Sequence, residues 1–150
     1  MHQAKLLSGG LFVLLSLFIS SQLFAQADVI EKRQKFMKGN SAASKAIKGA
    51  VEAKDYATVE VKAKELMGNA GKIPDLFPKG STQGKTKAKG EIWDKWDEFG
   101  QKAKNLGKAA GELAGAAGAK DEAKVAAGVK AVSGACKGCH EPFRAEKYSE

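Results

Sequence analysis

The sequence predicts an all-α protein, an antiparallel four-helix bundle, and three observations support this fold class. No stretch alternates apolar and polar residues with the period of two that a half-buried strand shows. Four segments place apolar residues at alternating steps of three and four, which puts them along one face of a helix. The length of 150 residues suits one domain, and the composition excludes a disordered, collagen-like or multi-span membrane protein.

The first 27 residues have the composition of a secretory signal peptide. Lys5 gives a positive start, residues 11–19 are almost entirely apolar, and Ala25-Gln26-Ala27 fits the small-x-small rule for cleavage. The apolar run is about half of the ~20 residues that a spanning helix needs. We therefore expect cleavage after Ala27, or after Ala25, rather than an uncleaved membrane anchor. Residues 28–150 then form the mature domain.

The first two helices of the predicted bundle lie in residues 29–73. The first covers about residues 29–53, and the second starts at Tyr56 behind the N-cap residue Asp55 and is stopped by Pro74 and Pro78. The stripe of the first helix is Ile30, Arg33, Met37, Asn40, Ser44, Ile47 and Val51. The stripe of the second is Tyr56, Val59, Ala63, Leu66, Ala70 and Ile73.

A long connection at residues 74–90 separates the second and third predicted helices. It holds two prolines, three glycines and no periodic pattern, so we read it as a loop. Bundle connections are usually shorter, and loops of this length are often functional. Leu76 and Phe77 are expected to pack this loop onto the core.

The third and fourth predicted helices occupy the rest of the chain. The third begins near Glu91 with Gly118 as its C-cap, and Asp121 caps the fourth. The stripe of the third is Ile92, Trp96, Phe99, Ala103, Leu106, Ala110, Leu113 and Ala117. The stripe of the fourth is Val125, Val129, Val132, Cys136, Cys139 and Phe143.

Small residues are unusually frequent inside these helices. Gly107, Gly111 and Gly115 follow one another at one-turn spacing, although each glycine costs a helix up to about 1 kcal/mol relative to alanine. Such residues leave a thin core. The sequence therefore predicts that a large non-protein group fills the middle of the bundle.

The motif Cys136-Lys137-Gly138-Cys139-His140 identifies that group. C-x-x-C-H is the attachment motif of c-type haem. On a helix the two cysteines share a face, so that each sulfur can form a thioether with one haem vinyl group. His140 lies one turn from Cys136 and can bind the iron as its axial ligand. We expect one covalently bound haem c per chain.

Three other uses of these residues are weaker. A structural zinc site needs about four ligands, and the predicted mature chain has two cysteines and one histidine. A thioredoxin-like pair requires a βαβ setting, and no strand is predicted. A disulfide between Cys136 and Cys139 would leave the thin core unfilled.

The sequence resembles the class II c-type cytochromes, which comprise cytochrome c′ and its low-spin relatives of the c-556 type. The resemblance covers residues 28–150, and it places the haem motif near the C-terminus, whereas class I cytochromes carry it near the N-terminus. Matching segments are residues 32–38, 76–81, 91–93 with Phe99, and 135–144. The resemblance implies a haem-binding four-helix bundle in the bacterial periplasm.

The resemblance also assigns individual roles. Cys136 and Cys139 match the thioether cysteines and His140 matches the axial ligand. The haem pocket and propionate positions are Arg33, Gln34 and Arg144, with Arg144 on the proximal side. A buried Arg33 guanidinium needs a partner: a propionate would serve, or Arg33 turns outward to a surface acid.

Two features depart from the family pattern. Lys85, Lys87 and Lys89 occupy a loop where cytochrome c′ can carry an acidic haem-side residue, so we assign no site there. Pro142 has no N–H to donate and crowds the preceding turn, which predicts a kink beyond the histidine and leaves the placing of Phe143 and Arg144 open.

Met37 determines which kind of haem protein the sequence predicts. In the low-spin relatives a methionine at this position is the sixth iron ligand, whereas in cytochrome c′ the residue there does not bind iron. Residues 37–40 and the Leu-Phe-Pro loop look more like the low-spin group. We therefore expect iron bound by His140 and Met37, with a five-coordinate iron as the alternative.

The expected function is that of a periplasmic electron carrier. The alternative is a haem protein that binds nitric oxide or carbon monoxide. We expect no enzymatic activity, because the mature chain has no second histidine for acid–base chemistry. The net charge of +8 becomes +7 when Lys5 is lost, which suits a redox partner with an acidic docking surface. Export argues against a nucleic-acid partner, and the resemblance implies a homodimer.

Overall fold

The computed structural model describes residues 9–82 and 84–147, with side chains from residue 27 onward. It contains four long helices, α1 (Gly9–Glu52), α2 (Tyr56–Ala70), α4 (Trp96–Gly118) and α5 (Glu122–Phe143). A short helix, α3 (Glu91–Asp94), precedes α4, and a 3₁₀ turn covers Pro74–Leu76. No strand is present in the described chain apart from one isolated bridge between Ala88 and Arg144. The predicted all-α fold class is confirmed.

Side-chain contacts show that successive long helices run in opposite directions. Asn69 of α2 donates to Asn40 of α1 across 2.8 Å, which fits a hairpin around residues 53–55. Along α4, Gly118 lies beside Glu60 and Gly107 beside Ala70, so that α4 descends as α2 ascends. The four helices therefore form an up-down-up-down bundle, in which α1 and α5 are also antiparallel.

Two aspartates start their helices as the sequence predicted. Asp55 accepts from the Thr58 amide at 3.0 Å, and Asp121 accepts from the Lys124 amide at 3.0 Å. Side-chain hydrogen bonds from Thr58 to Asp55 and from Lys124 to Asp121, followed by these amide bonds, lower the pKa of both carboxyl groups, since hydrogen bonds to the charged form favour it. Lys54 and Lys120 adopt φ angles of 54° and 55° in the tight turns just before these caps.

Several predicted boundaries need correction. Helix α2 ends at Ala70, and Ile73 lies in the turn before Pro74. The third predicted helix is broken at Lys95, whose φ of −123° and ψ of 45° are not helical. This break resets the helical register, so that Trp96 is 41% exposed instead of buried. Gly118 is the last residue of α4, and the cap position belongs to Ala119.

The signal peptide remains a prediction. Its residues 1–8 lie outside the described chain, and residues 9–27 extend α1 towards its N-terminus. Within the part of the chain that is described, no helix combines the length and apolar character needed to cross a membrane.

The glycines and alanines pack α2 closely against α4. A Cβ atom at Gly107 would lie 3.3 Å from the Ala70 Cβ, and one at Gly111 would lie 3.1 Å from the Met67 sulfur. By contrast, α1 and α5 touch only sparsely. The small residues therefore allow two helices to approach each other. The expectation that Gly107 and Gly111 mark a thin core needs correction, because both lie close to α2. That a non-protein group fills the bundle stays a prediction, and the sparse contact is the one between α1 and α5.

Candidate functional site

The two cysteines lie on the inward face of α5. Cys136 and Cys139 are half-buried, pack against the hydrophobic core and form no disulfide. Burial raises the pKa of Cys136, and burial together with the neighbouring Cys136 raises the pKa of Cys139 to about 11. Both groups are therefore neutral thiols at pH 7. Such a pair on one helix face can add across two vinyl groups to give two thioethers.

His140 follows directly and is exposed on α5. Partial burial of the ring lowers its pKa, and the positive charge of Arg144 lowers it further. The imidazole is therefore neutral at pH 7, and a neutral imidazole has a ring nitrogen lone pair that can bind a metal.

Arg144 does not lie on α5, where a continuous helix would place it one turn beyond His140. The helix ends at Phe143, next to Pro142, and Arg144 is exposed and extended with φ −126° and ψ 126°. Its backbone amide donates to the His140 carbonyl at 2.9 Å. Phe143 is buried despite Pro142. Arg144 thus influences His140 through its charge and not through a helical neighbour position.

A cleft runs between α1 and α5 beside the cysteines. Its lining comes from three residues of α1 and three of α5: Ser44, Ile47, Lys48, Val129, Val132 and Ser133. The Lys48 charge acts on Cys136, so the thiol lies close to this cleft. Half of this lining is apolar, from Ile47, Val129 and Val132. The two neutral thiols and the imidazole on one helix are a donor set that fits a metal cofactor attached through α5.

Met37 lies on α1 close to the level of His140. Ile47 and Val132 line the same cleft and therefore mark one level on the two antiparallel helices. His140 lies eight residues beyond Val132 on α5. Because the helices are antiparallel, the position at the same level on α1 is eight residues before Ile47, which is Gly39. Met37 lies two residues before Gly39, a rise of about 3 Å and less than one turn. Its side chain is half-buried against the core.

Arg33 is buried, as its place on the apolar stripe predicted. Its partners in the structure are loop oxygens, whereas the sequence predicted a haem propionate or an acidic surface residue. The side chain is 3% exposed and donates to Ser81 Oγ at 3.0 Å, to the Ser81 carbonyl at 3.1 Å and to Thr86 Oγ1 at 2.8 Å. It also stacks 4.5 Å from the centre of the Phe77 ring. Neutral loop oxygens therefore satisfy the guanidinium, and a carboxylate partner is not required.

Gln34 contacts the same loop. Its side-chain amide donates to the Lys85 carbonyl at 2.8 Å. Arg33 and Gln34 thus bind the same loop from α1. Their contact with a haem propionate remains a prediction.

Ser81 and Thr86 are the residues of this region that the sequence reading missed. Both are buried polar residues in a stretch without periodicity. The sequence feature that could have pointed to them is Arg33, because an arginine on an apolar stripe requires hydrogen-bond acceptors from another part of the chain.

A protein-only metal site is not supported in the described residues, where no three His, Cys, Asp or Glu side chains are grouped to hold an ion. The structure brings together Cys136, Cys139 and His140 on α5 and places Met37 on the facing helix α1. Arg33 and Gln34 lie on α1 and bind the loop, and Arg144 lies beyond the end of α5.

Comparisons with known proteins identify the family of the chain. The family model described as Cytochrome C′ matches residues 28–144. A cytochrome c′ of Rhodopseudomonas palustris is 38% identical over 127 residues, which cover 82% of this chain and 86% of that protein. A cytochrome c-556 of Agrobacterium tumefaciens is 33% identical over 124 residues, covering 81% of this chain and all of the other.

Solved structures show the same bundle. The cytochrome c′ of Thermochromatium tepidum and a cytochrome c′ described by an unusual ligand-controlled dimer dissociation each align with a TM-score of 0.74. Each is 28% identical, and the alignment covers 81% of this chain and 97% of the other. The chain belongs to the cytochrome c′ family and is a haem protein.

Proposed function

We propose that this member of the cytochrome c′ family is a periplasmic electron carrier with a single haem attached to Cys136 and Cys139. In this proposal His140 and Met37 bind the iron, and the protein has no enzymatic activity of its own. The observation that supports it best is the placement of Met37, which lies on the helix opposite the cysteines and within one turn of the level of His140.

Each residue of the site has a separate task in this proposal. A bound haem supplies one-electron chemistry between Fe(III) and Fe(II). The thiols of Cys136 and Cys139 would hold the haem through two thioethers, each formed by addition of S–H across a vinyl double bond, with the sulfur on one carbon and the hydrogen on the other. The neutral imidazole of His140 would supply a nitrogen lone pair to the iron. The Met37 thioether would be a softer donor, which would favour the ferrous state and keep small ligands away.

Positive side chains around the motif suit an acidic redox partner. Lys48 of α1, Lys102 of α4 and Arg144 act electrostatically on Cys136, Cys139 and His140 respectively. Lys102 forms an ion pair with Glu98 across 3.9 Å, whereas Lys48 and Arg144 form none among the described residues. The charges of Lys48 and Arg144 therefore remain available to steer association with a negative surface.

The second candidate function is binding of nitric oxide or carbon monoxide at a five-coordinate iron. The observation that favours it is the family membership together with the ligand-controlled dimer dissociation described for a relative. A homodimer of this chain is part of the same proposal. Val61 of α2, which is 63% exposed, offers one apolar contact for it.

Optical spectroscopy of Met37→Ala distinguishes the two functions. If Met37 binds iron, the unmodified ferric protein is low-spin with a weak sulfur-to-iron band in the far red. The variant should then become high-spin, show a lower midpoint potential and bind carbon monoxide when reduced. Met67→Ala is the matched control, because Met67 lies on α2 and is 45% exposed, and it should leave the spectrum unchanged.

A high-spin ferric spectrum of the unmodified protein, with rapid carbon monoxide binding after reduction, would contradict methionine ligation. The gas-binding function would then take first place. Covalent attachment of the haem is tested separately below and does not depend on this outcome.

A further inference from the structure

One loop segment connects the helix of Met37 to the helix of His140. We call residues 76–82 and 84–89 the tether. Direct contacts between these two helices are sparse. The tether contacts both of them and therefore links them through noncovalent interactions.

The first end of the tether is held by α1, one turn before Met37. Arg33 donates to Ser81 and Thr86 at 2.8–3.1 Å, and it lies 3.5 Å from the Leu76 carbonyl. Gln34 adds the bond to the Lys85 carbonyl. These contacts fix the tether to the turn of α1 that precedes the methionine.

The second end is held by the backbone at the C-terminal end of α5. The Lys89 amide donates to the Phe143 carbonyl at 3.1 Å, and the Ala145 amide donates to the Lys87 carbonyl at 2.8 Å. Phe143 lies three residues after His140. The tether therefore also holds the end of the helix that carries the histidine.

Thr86 joins the two anchors through a single atom. Its hydroxyl oxygen accepts from the Arg33 guanidinium at 2.8 Å and from the Ala88 amide at 3.1 Å, within the stretch that pairs with Arg144. The side chain is 3% exposed, so water cannot readily replace this acceptor. Without the hydroxyl, the Arg33 guanidinium and the Ala88 amide would each lose this acceptor, and buried unsatisfied donors are unfavourable.

An aromatic row lies beneath the tether and follows the same path. The Phe77 ring, under the Arg33 guanidinium, meets Phe99 with centroids 4.8 Å apart. Phe99 meets Phe143 of α5 at 5.4 Å. Packing therefore supports the polar link between α1 and the end of α5.

We propose that the tether sets the separation of α1 and α5 at the level of Met37 and His140, with Arg33 and Thr86 as positioning residues. The proposal rests on the proposed function in taking the cleft between these helices as the haem site. Through this separation the tether determines how closely the open side of the iron is covered.

The test compares Thr86→Val with Thr86→Ser and Thr58→Val in the haem-loaded full chain. Thr86→Val removes the shared acceptor at nearly constant volume, while Thr86→Ser keeps it. Thr58→Val makes the same chemical change at the start of α2, where the Thr58 hydroxyl bonds Asp55 at 2.6 Å. The readouts are hydrogen exchange, the ferric spectrum and the rate of carbon monoxide binding to the ferrous protein.

We expect Thr86→Val to speed exchange at the Lys89 and Ala145 amides and to raise the carbon monoxide binding rate about tenfold, the scale of one lost buried hydrogen bond. In a low-spin protein it should also raise the high-spin fraction. Thr86→Ser should restore all readouts, and Thr58→Val should change none of them.

The result that would overturn the proposal is a carbon monoxide rate within about twofold of the unmodified protein, or an equal change in Thr58→Val, which would indicate general loosening. A high-spin ferric spectrum of the unmodified protein would refute only the binding of Met37 to the iron. The tether is then still tested, because the exchange and carbon monoxide readouts do not need a sixth ligand.

Discussion

The interface between α2 and α4 and the facing surfaces of α1 and α5 are built on opposite principles. At the first, glycine and alanine let two backbones approach, and Gly107 and Gly111 leave little room for even a methyl group. At the second, direct contacts are sparse, and the two helices carry Cys136, Cys139, His140 and Met37. The α2–α4 pair thus forms the closely packed interface, and the α1–α5 pair carries the residues that we propose hold the haem.

This difference shows how a small bundle can hold a large cofactor. Close packing of α2 and α4 buries much of the core, so stability need not come from contacts between α1 and α5. The space between α1 and α5 is then bridged at one end by the tether and is expected to be filled by the haem elsewhere.

The largest expected effect comes from removing both thiols. Cys136→Ala with Cys139→Ala should abolish covalent haem, since each thioether needs its sulfur. A haem-stained denaturing gel measures this directly. In the same variant we expect fast hydrogen exchange in α1 and α5 and slower exchange in α2 and α4, because only the first pair loses its filling.

Haem colour that stays with the double variant would disprove covalent attachment at these positions. Uniform exchange along all four helices would contradict the distinction between the two helix pairs. Lys137→Ala is the control, because it changes the motif without removing a sulfur.

A medium effect on the free energy of unfolding is expected from a larger side chain at the contact between α2 and α4. A leucine side chain at Gly107 has no space, because its Cβ would already lie 3.3 Å from Ala70. Overpacking of this kind destabilises a core by about 1–3 kcal/mol. Gly115→Leu is the matched control, as no atom lies within 4 Å of a Cβ at that position.

Denaturant unfolding measures both variants. Gly115→Leu should be neutral or stabilising, since leucine is a better helix former than glycine. Equal destabilisation of the two variants would mean that helix α4 is not closely packed at Gly107.

The smallest effect concerns the helix caps, which lie outside both interfaces. Hydrogen bonds from Thr58 hold the pKa of Asp55 below its ordinary value of 3.8. A lowered pKa means that the carboxylate stabilises the folded state above pH 3.8 and that this contribution is lost as the pH falls through the folded-state pKa. Asp55→Asn should therefore lose part of the acid sensitivity of unfolding below about pH 4.

Thermal unfolding between pH 2.5 and 7 checks this prediction, with Asp75→Asn as the control because the exposed Asp75 lies inside the 3₁₀ turn and not at a helix N-cap. An unchanged pH profile in Asp55→Asn would exclude the cap as a source of acid sensitivity.

The sequence alone determined the features that depend on local chemistry. Helical periodicity fixed which faces of the long helices turn inward, and Asp55 and Asp121 predicted the helix starts. The C-x-x-C-H spacing predicted the attachment site, because three residues on one helix face need no distant partner to be recognised. The family resemblance added the axial role of Met37, which stays a prediction.

Only the tertiary structure decided where distant segments meet. Arg33 bonds Ser81, 48 residues away, and no periodic pattern marks Ser81 or Thr86 as its acceptors. The break at Lys95 turns Trp96 outward, although its position on the stripe predicted burial. Gly107 and Gly111 of α4 belong to a close helix contact because α2 lies against them. Local propensities act within a few residues of the chain, whereas these contacts depend on which surfaces the folded backbone brings together.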